Sequence, residues 1–116
     1  MRLTELIEKL DLKILTEGVN LEKKVEGGYA GDLLSWVMAH AKENQVWITI
    51  QSHQNIVAVA SLLGLCAIIV AEGVEVEENT LKKAKEENIP ILSSEKSTFE
   101  LCGILYNLLN GSKIPC

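Results

Sequence analysis

The sequence predicts an α/β fold: a single-domain three-layer sandwich, with a mostly parallel sheet of about four to five strands and helices on both faces. Three observations carry that expectation. Two apolar runs, Val46-Trp47-Ile48-Thr49-Ile50 and Ala67-Ile68-Ile69-Val70-Ala71, are continuous rather than alternating, as strands buried on both faces of a parallel sheet are. Between them, residues 56–63 are apolar on nearly every side and stop at Gly64. That is the pattern of a helix covered on more than one face and closed by a left-handed residue. The apolar strand starts at residues 46, 67 and 91 lie 21 and 24 positions apart, the spacing of consecutive βα units.

Bulk properties exclude several functions. The chain has 116 residues, long enough for one core and too short for two, so residues 1–116 are read as one domain with its core at about 3–111. Aromatic residues make up 4%, so Leu, Ile, Val and Ala must fill the interior. A formal charge of −5 argues against a nucleic-acid or anionic-membrane surface. Gly64 divides the longest apolar run, leaving nothing near the roughly 20 residues that span a bilayer. With no secretory start at Met1-Arg2-Leu3-Thr4-Glu5, the expected location is cytoplasmic. Cys66, Cys102 and Cys116 form no CxxC pair, so no metal site is expected. Cys66 and Cys102 read as small core residues and Cys116 as part of a frayed tail.

In chain order, Leu3, Leu6, Ile7 and Leu10 form one face of a short docking helix with Arg2 or Thr4 at its start. Residues 12–16 read as a half-buried strand and residues 19–24 as a connection. Residues 25–32, Val-Glu-Gly-Gly-Tyr-Ala-Gly-Asp, read as a glycine-rich loop opening a helix over 33–42, with Asp32 as its N-cap. Such a turn can hold an anion on free N–H groups. The alternative gives Gly27 and Gly28 a purely steric role in a tight crossing, with Tyr29 either stacking on a base or packing. His40 is expected to face solvent near the helix end. In the polar turn after residue 50, Ser52 or Asn55 is the expected cap of the helix that follows.

A charged helix is predicted over 77–87, with Val76, Leu81 and Ala84 as its apolar stripe and the rest solvated. Ile89-Pro90 blocks its continuation and leads into the strand Ile91-Leu92-Ser93. Ser97 and Glu100 match a capping box for a helix ending at Gly111. Phe99, Cys102, Leu105, Tyr106 and Leu109 are expected to form its buried stripe, with Leu101 and Leu108 to one side as a partner surface.

If the strands run parallel, three strand ends meet at one edge: Gln51-Ser52-His53, Glu72-Gly73 and Ser93-Ser94-Glu95. Ligands bind at that edge of open parallel sheets. The candidate ligand-binding residues are therefore Gln51, Ser52, His53, Asn55, Glu72, Gly73, Ser93 and Ser94, with Gly27, Gly28, Tyr29 and Asp32 as a candidate loop. Ser52 and His53 are chain neighbours, which seldom reach the geometry of nucleophile and base, and His53 with Glu72 is a thin ligand set for a metal. No catalytic residues and no cofactor are assigned.

Residues 47–60, Trp-Ile-Thr-Ile-Gln-Ser-His-Gln-Asn-Ile-Val-Ala-Val-Ala, together with residues 27–35 before them and Asn88-Ile89-Pro90-Ile91-Leu92 after them, resemble the DRTGG domain. The likeness covers about residues 3–111 and is closest to small stand-alone members of that family. Such domains are similar to the N-terminal domain of HPr kinase/phosphorylase and occur fused to CBS domains in regulatory pyrophosphatases and to phosphotransacetylases. The resemblance implies an α/β fold and a regulatory, often dimer-forming role rather than catalysis. Gln51-Ser52-His53 stands where the family has Gly-Asp-Arg, and Ala71-Glu72-Gly73 where it has Thr-Gly-Gly. The change removes an arginine that would hold a phosphate and adds a negative charge.

Two functions of different class follow. One is a non-catalytic regulatory and protein-interaction domain, homodimeric, that modulates a partner enzyme through residues 56–63 or the helix over 98–110. The other is a sensor of a small molecule, a nucleotide or phosphorylated metabolite, at the C-terminal edge of the parallel strands.

Overall fold

A computed structural model describes residues 1–111, so Cys116 and the tail before it lie outside the described residues. Five helices and five strands follow one another as α1 (Leu3–Leu10), β1 (Lys13–Ile14), β2 (Gly27–Ala30), α2 (Leu34–His40), β3 (Gln45–Thr49), α3 (Asn55–Leu63), β4 (Ala67–Val70), α4 (Glu78–Glu86), β5 (Ile91–Ser93) and α5 (Thr98–Asn110). The strands form one sheet in the order β1-β5-β4-β3-β2. Strands β2 to β5 are parallel, with Trp47 beside Ile68 and Ile69 beside Leu92, and β1 pairs antiparallel with β5.

The three-layer expectation holds, and the strand residues show how. Although the strand sequences are continuously apolar, their side chains still alternate. Val46, Ile48, Ala67, Ile69, Ala71 and Leu92 point to one face, where they meet Leu3, Leu6 and Leu10 of α1 and Leu101 and Leu105 of α5. Trp47, Ile68, Val70 and Ile91 point to the other, against Val37 of α2, Ile56, Val57, Val59 and Ala60 of α3 and Ala84 of α4. Each fully buried large side chain contributes roughly 1.5–3 kcal/mol. Trp47 also donates its indole N–H to the Gly31 carbonyl at 2.8 Å, so its polar atom is satisfied inside the core.

The order of neighbours explains which helices share a face. From β2 to β5 each strand lies next to its predecessor and the sheet grows in one direction. Crossovers of one hand then set α2, α3 and α4 on the same side. Only the terminal helices α1 and α5 reach the other side.

Several local expectations are corrected. Gly27 and Gly28 belong to the edge strand β2 rather than to a loop, because the backbone is held by pairing with β3 although glycine has little strand preference of its own. A Cβ at Gly28 would stand 2.8 Å from Leu105 Cδ2, so glycine there lets α5 approach the sheet. The half-buried strand expected over 12–16 is only two residues long, and both are exposed. Helix α3 is not covered all round: Ala58 and Ser61 are exposed and Leu62 is 72% exposed. Its end is as expected, with Gly64 left-handed at φ 69°.

Helix α5 is rotated from the expected orientation. Leu101 and Leu105 are buried, whereas Phe99 is 90% and Tyr106 55% exposed. Both sides of this helix are apolar, so periodicity alone did not decide which one meets the sheet. Its start agrees with the sequence, since Ser97 Oγ accepts from the Glu100 N–H at 3.1 Å. His40 is exposed as expected, with its ring stacked on that of Trp36 at 4.1 Å between centroids. Among the described residues no helix is long and apolar enough to cross a membrane.

Candidate functional site

Because β3, β4 and β5 are parallel, their C-terminal ends do lie along one edge. The structure divides the candidate residues there into three groups with different bonding.

The first group locks β2 to β3. Asp32 Oδ1 accepts from Thr49 Oγ1 and from the Ile50 N–H, both at 2.8 Å, and Gln51 Nε2 donates to the Asp32 carbonyl at 2.9 Å. Asp32 is therefore not the N-cap of α2; Leu33 holds that position without a side-chain bond, and the carboxylate turns back toward the next strand. The glycines expected to cradle an anion run in a strand, and Tyr29 packs partly buried against the core beside Trp47.

The second group starts α3. Neither Ser52 nor Asn55 caps it; the N-cap residue is Gln54, which makes no side-chain bond. His53 Nδ1 lies 3.2 Å from the Asn55 N–H and serves that orphan donor, while the Ser52 carbonyl accepts from the buried Thr80 hydroxyl at 2.7 Å. His53 is exposed, and its ring and the Glu72 carboxylate serve different N–H groups, those of Asn55 and Thr98.

The third group lies at β4 and β5 and has the shape of a site. After β4 the chain turns to α4 on one face, and after β5 it turns to α5 on the opposite face. Connections that leave adjacent parallel strands in opposite directions open a crevice between them, the usual place for a ligand in such sheets. A depression of about 420 Å³ fills that place, lined by Gly73, Val74, Ser93, Ser94, Glu95 and Lys96, with Asp11 and Lys13 on its far wall. Its size lies in the range of small-molecule pockets.

Backbone bonds tie the crevice walls together. Glu72 N–H donates to the Lys96 carbonyl and Gly73 N–H to the Ser94 carbonyl, both at 2.9 Å. Glu72 and Gly73 both have positive φ, 63° and 68°. Only for the glycine is that conformation free of strain. Glu72 Oε2 accepts from the Thr98 N–H at 2.8 Å, so this carboxylate already occupies the start of α5, where an anion would otherwise bind. Lys96 Nζ reaches the Leu10 carbonyl at 3.5 Å, and Lys13 supplies a second ammonium group beside Ser93.

Of the residues expected at the edge, Gly73, Ser93 and Ser94 line the crevice and Glu72 braces it. Gln51, Ser52, His53 and Asn55 do not reach it. Sequence reasoning missed Lys96, which directly follows the Ser93-Ser94-Glu95 segment, and Asp11 and Lys13, which arrive only because β1 returns antiparallel beside β5.

The perturbed titrations lie elsewhere. Burial pushes the Cys66 thiol up, opposed by the nearby Lys23 ammonium. Burial pulls Lys23 down, opposed by Cys66, and burial also raises Cys102. Among the described residues no group of three or more His, Cys, Asp or Glu side chains is arranged to hold a metal.

Comparison with known proteins gives a family match and matches to solved structures. The sequence matches the DRTGG domain over residues 5–108. The fold matches a solved structure of the CBS and DRTGG domains from the regulatory region of Clostridium perfringens pyrophosphatase, complexed with the activator diadenosine tetraphosphate. That match has a TM-score of 0.70 at 16% identity and covers 90% of this chain and 45% of the other. The chain thus spans less than half the length of that structure. No curated protein matches the sequence.

Proposed function

The chain belongs to the DRTGG domain family, and from that premise we propose that it is a non-catalytic regulatory domain. It acts in the cytoplasm by associating with itself and modulating a partner enzyme. One observation carries the association: large apolar side chains stand uncovered on both faces of the sandwich, with Phe99 of α5 90%, Leu62 of α3 72% and Leu33 at the start of α2 67% exposed. Apolar area of this kind on a small protein marks a contact surface. Sedimentation velocity over a wide concentration range tests it. A concentration-dependent shift from monomer to dimer is expected, and a chain that stays monomeric throughout removes the reading.

A second reading rests on the crevice between β4 and β5. Lys13, Lys96 and two serine hydroxyls in a depression of about 420 Å³ offer donors to a phosphorylated small molecule, beside the carboxylates of Asp11 and Glu95 that a bound cation or a polar group would meet, and the solved relative's regulatory region is itself complexed with a nucleotide. In this reading the domain senses such a ligand and passes the signal through Glu72 to α5. A thermal-shift screen of nucleotides and phosphorylated metabolites decides it, since a ligand at 100 times its dissociation constant adds roughly 2.7 kcal/mol. The shift should vanish in the Lys13→Ala/Lys96→Ala protein. No shift with any ligand removes the sensor role and leaves the association reading standing.

A further inference from the structure

From the outer side of strand β2 we infer that this edge docks an extended peptide segment of a partner protein, which adds antiparallel and seats an apolar side chain beside α5. That names the contact through which the regulatory role proposed above would reach another protein, and it needs neither self-association nor a ligand in the crevice.

Hydrogen bonding just before β2 fixes which of its backbone groups face outward. The Glu26 N–H donates inward to the Asn44 carbonyl at 2.9 Å. The Val25 N–H donates to the Met1 carbonyl at 2.7 Å, and the Lys23 carbonyl accepts from the Leu3 N–H at 2.8 Å, so odd-numbered residues here turn their polar groups away from β3. Met1–Leu3 covers that outer side only as far as residue 25, around the antiparallel Arg2–Lys24 bridge. Gly27 and Tyr29 are next in the alternation, and among the described residues no segment pairs with β2 on that side. Two N–H and two C=O groups are therefore available to another strand.

The two edges of the sheet differ in how they are protected. At the far edge β1 is two residues long and carries Lys13, and a short, charged strand is an ordinary defence against pairing with another chain. Strand β2 has four residues, Gly27–Ala30, with no charge and no proline among them.

A pocket for one side chain lies beside the open edge. Gly28 and Ala30 pair in register with Val46 and Ile48 and so share the face that α5 covers. Both are exposed, because an apolar hollow of about 140 Å³ opens there, lined also by Ile48 and by Cys102, Tyr106 and Leu109 of α5. In an added antiparallel strand the residue opposite Gly28 lies on the same face, next to the hollow. An apolar cavity of about 150 Å³ holds a benzene-sized group, so a leucine or phenylalanine side chain suits it. Free main-chain groups with an adjoining side-chain pocket are the two parts of recognition by strand addition. A second copy pairing β2 with β2 leaves the hollow unfilled, since on that face it brings only Gly28 and Ala30, while Tyr29 packs against the opposite core. The formal charge of −5 favours a basic segment.

The test titrates the peptide acetyl-Lys-Thr-Leu-Thr-Leu-Thr-Lys-amide into the isotope-labelled full chain and follows backbone amides by NMR. Saturable shifts are expected at Gly27 and Tyr29, with slowed hydrogen exchange at both. Replacing the two leucines by alanine should weaken binding at least about tenfold. On the protein, Gly27→Pro removes one outward N–H at an edge position where proline is tolerated, and Ala30→Leu fills the hollow; each should weaken binding by a similar factor. N-methylation of the central threonine of the peptide, which removes an N–H facing the edge, should do the same with the protein unaltered. Absence of saturable shifts at Gly27 and Tyr29, or equal binding of the alanine peptide, overturns the docking site and leaves the self-association reading standing. If those two amides are instead protected in the protein alone and lose protection on dilution, the edge belongs to a second copy and the peptide site is wrong.

Discussion

At Glu72 one side chain carries two opposing effects. Its backbone sits at φ 63°, where a residue with a Cβ is strained, yet its carboxylate accepts the Thr98 N–H and so caps α5. Losing a cap costs about 1 kcal/mol. Glu72→Ala keeps the strain and loses the cap, so it should lower stability by about that amount, whereas Glu72→Gly relieves the strain and should come back close to the parent. Urea unfolding midpoints of the two variants read the difference directly. The thiols give a second case. Burial raises both Cys66 and Cys102, so the reactive thiolate is scarce, and in a Cys116→Ser protein both should alkylate far more slowly at pH 8 than a free thiol. The sign of the linked stability follows. With the folded value raised above the ordinary 9.0, the contribution of Cys66 is intact below pH 9 and lost as pH rises toward the folded value. Cys66→Ala should flatten that decline, read as urea midpoints at pH 8 and pH 10.

At the scale of elements, the ends of β2 and β3 are held by one carboxylate. Asp32→Ala removes the acceptor of two bonds and leaves the buried Thr49 hydroxyl with no acceptor for its proton, although its oxygen still accepts from the Gln51 N–H at 3.2 Å. The expected loss is about 1–3 kcal/mol, and Asp32→Asn, which keeps an oxygen in place, should lose less. Thermal unfolding of the pair checks the order. The same region shows what could be read from the sequence. Strands β3 and β4, the left-handed Gly64 and the Ser97 cap were legible because β-branched runs, a C-terminal glycine and a hydroxyl three residues before a glutamate act locally. Strand β2 was not, because Gly27 and Gly28 owe their conformation to β3, seventeen or more residues further on. The face of α5 was not either: Phe99 and Tyr106 fit a helical stripe as well as Leu101 and Leu105 do, and only the space left by Gly28 selects the leucines for the sheet. Of the site, the gathering of strand ends was legible from the parallel order. The crevice between β4 and β5 was not, because it depends on α5 leaving to the opposite face and on β1 bringing in Asp11 and Lys13.

For the whole molecule, charge sets how the proposed self-association should respond to salt. Each copy carries −5, and the two shorter dimensions of the chain are 28 and 24 Å, so two docked copies have centres about 25 Å apart. The unscreened repulsion between them in water is about 4 kcal/mol. A Debye length of about 30 Å at 0.01 M salt leaves nearly half of this, and one of about 8 Å at 0.15 M removes almost all of it. Contacts through the uncovered side chains of Phe99, Leu62 and Leu33 have no ion pairs for salt to weaken, so the two effects do not cancel. Raising salt from 0.01 to 0.15 M should therefore strengthen the dimer by about 1–2 kcal/mol, roughly tenfold in Kd. Sedimentation at the two ionic strengths measures this. Weakening by salt instead would mean that the copies meet through paired charges rather than through the uncovered apolar side chains.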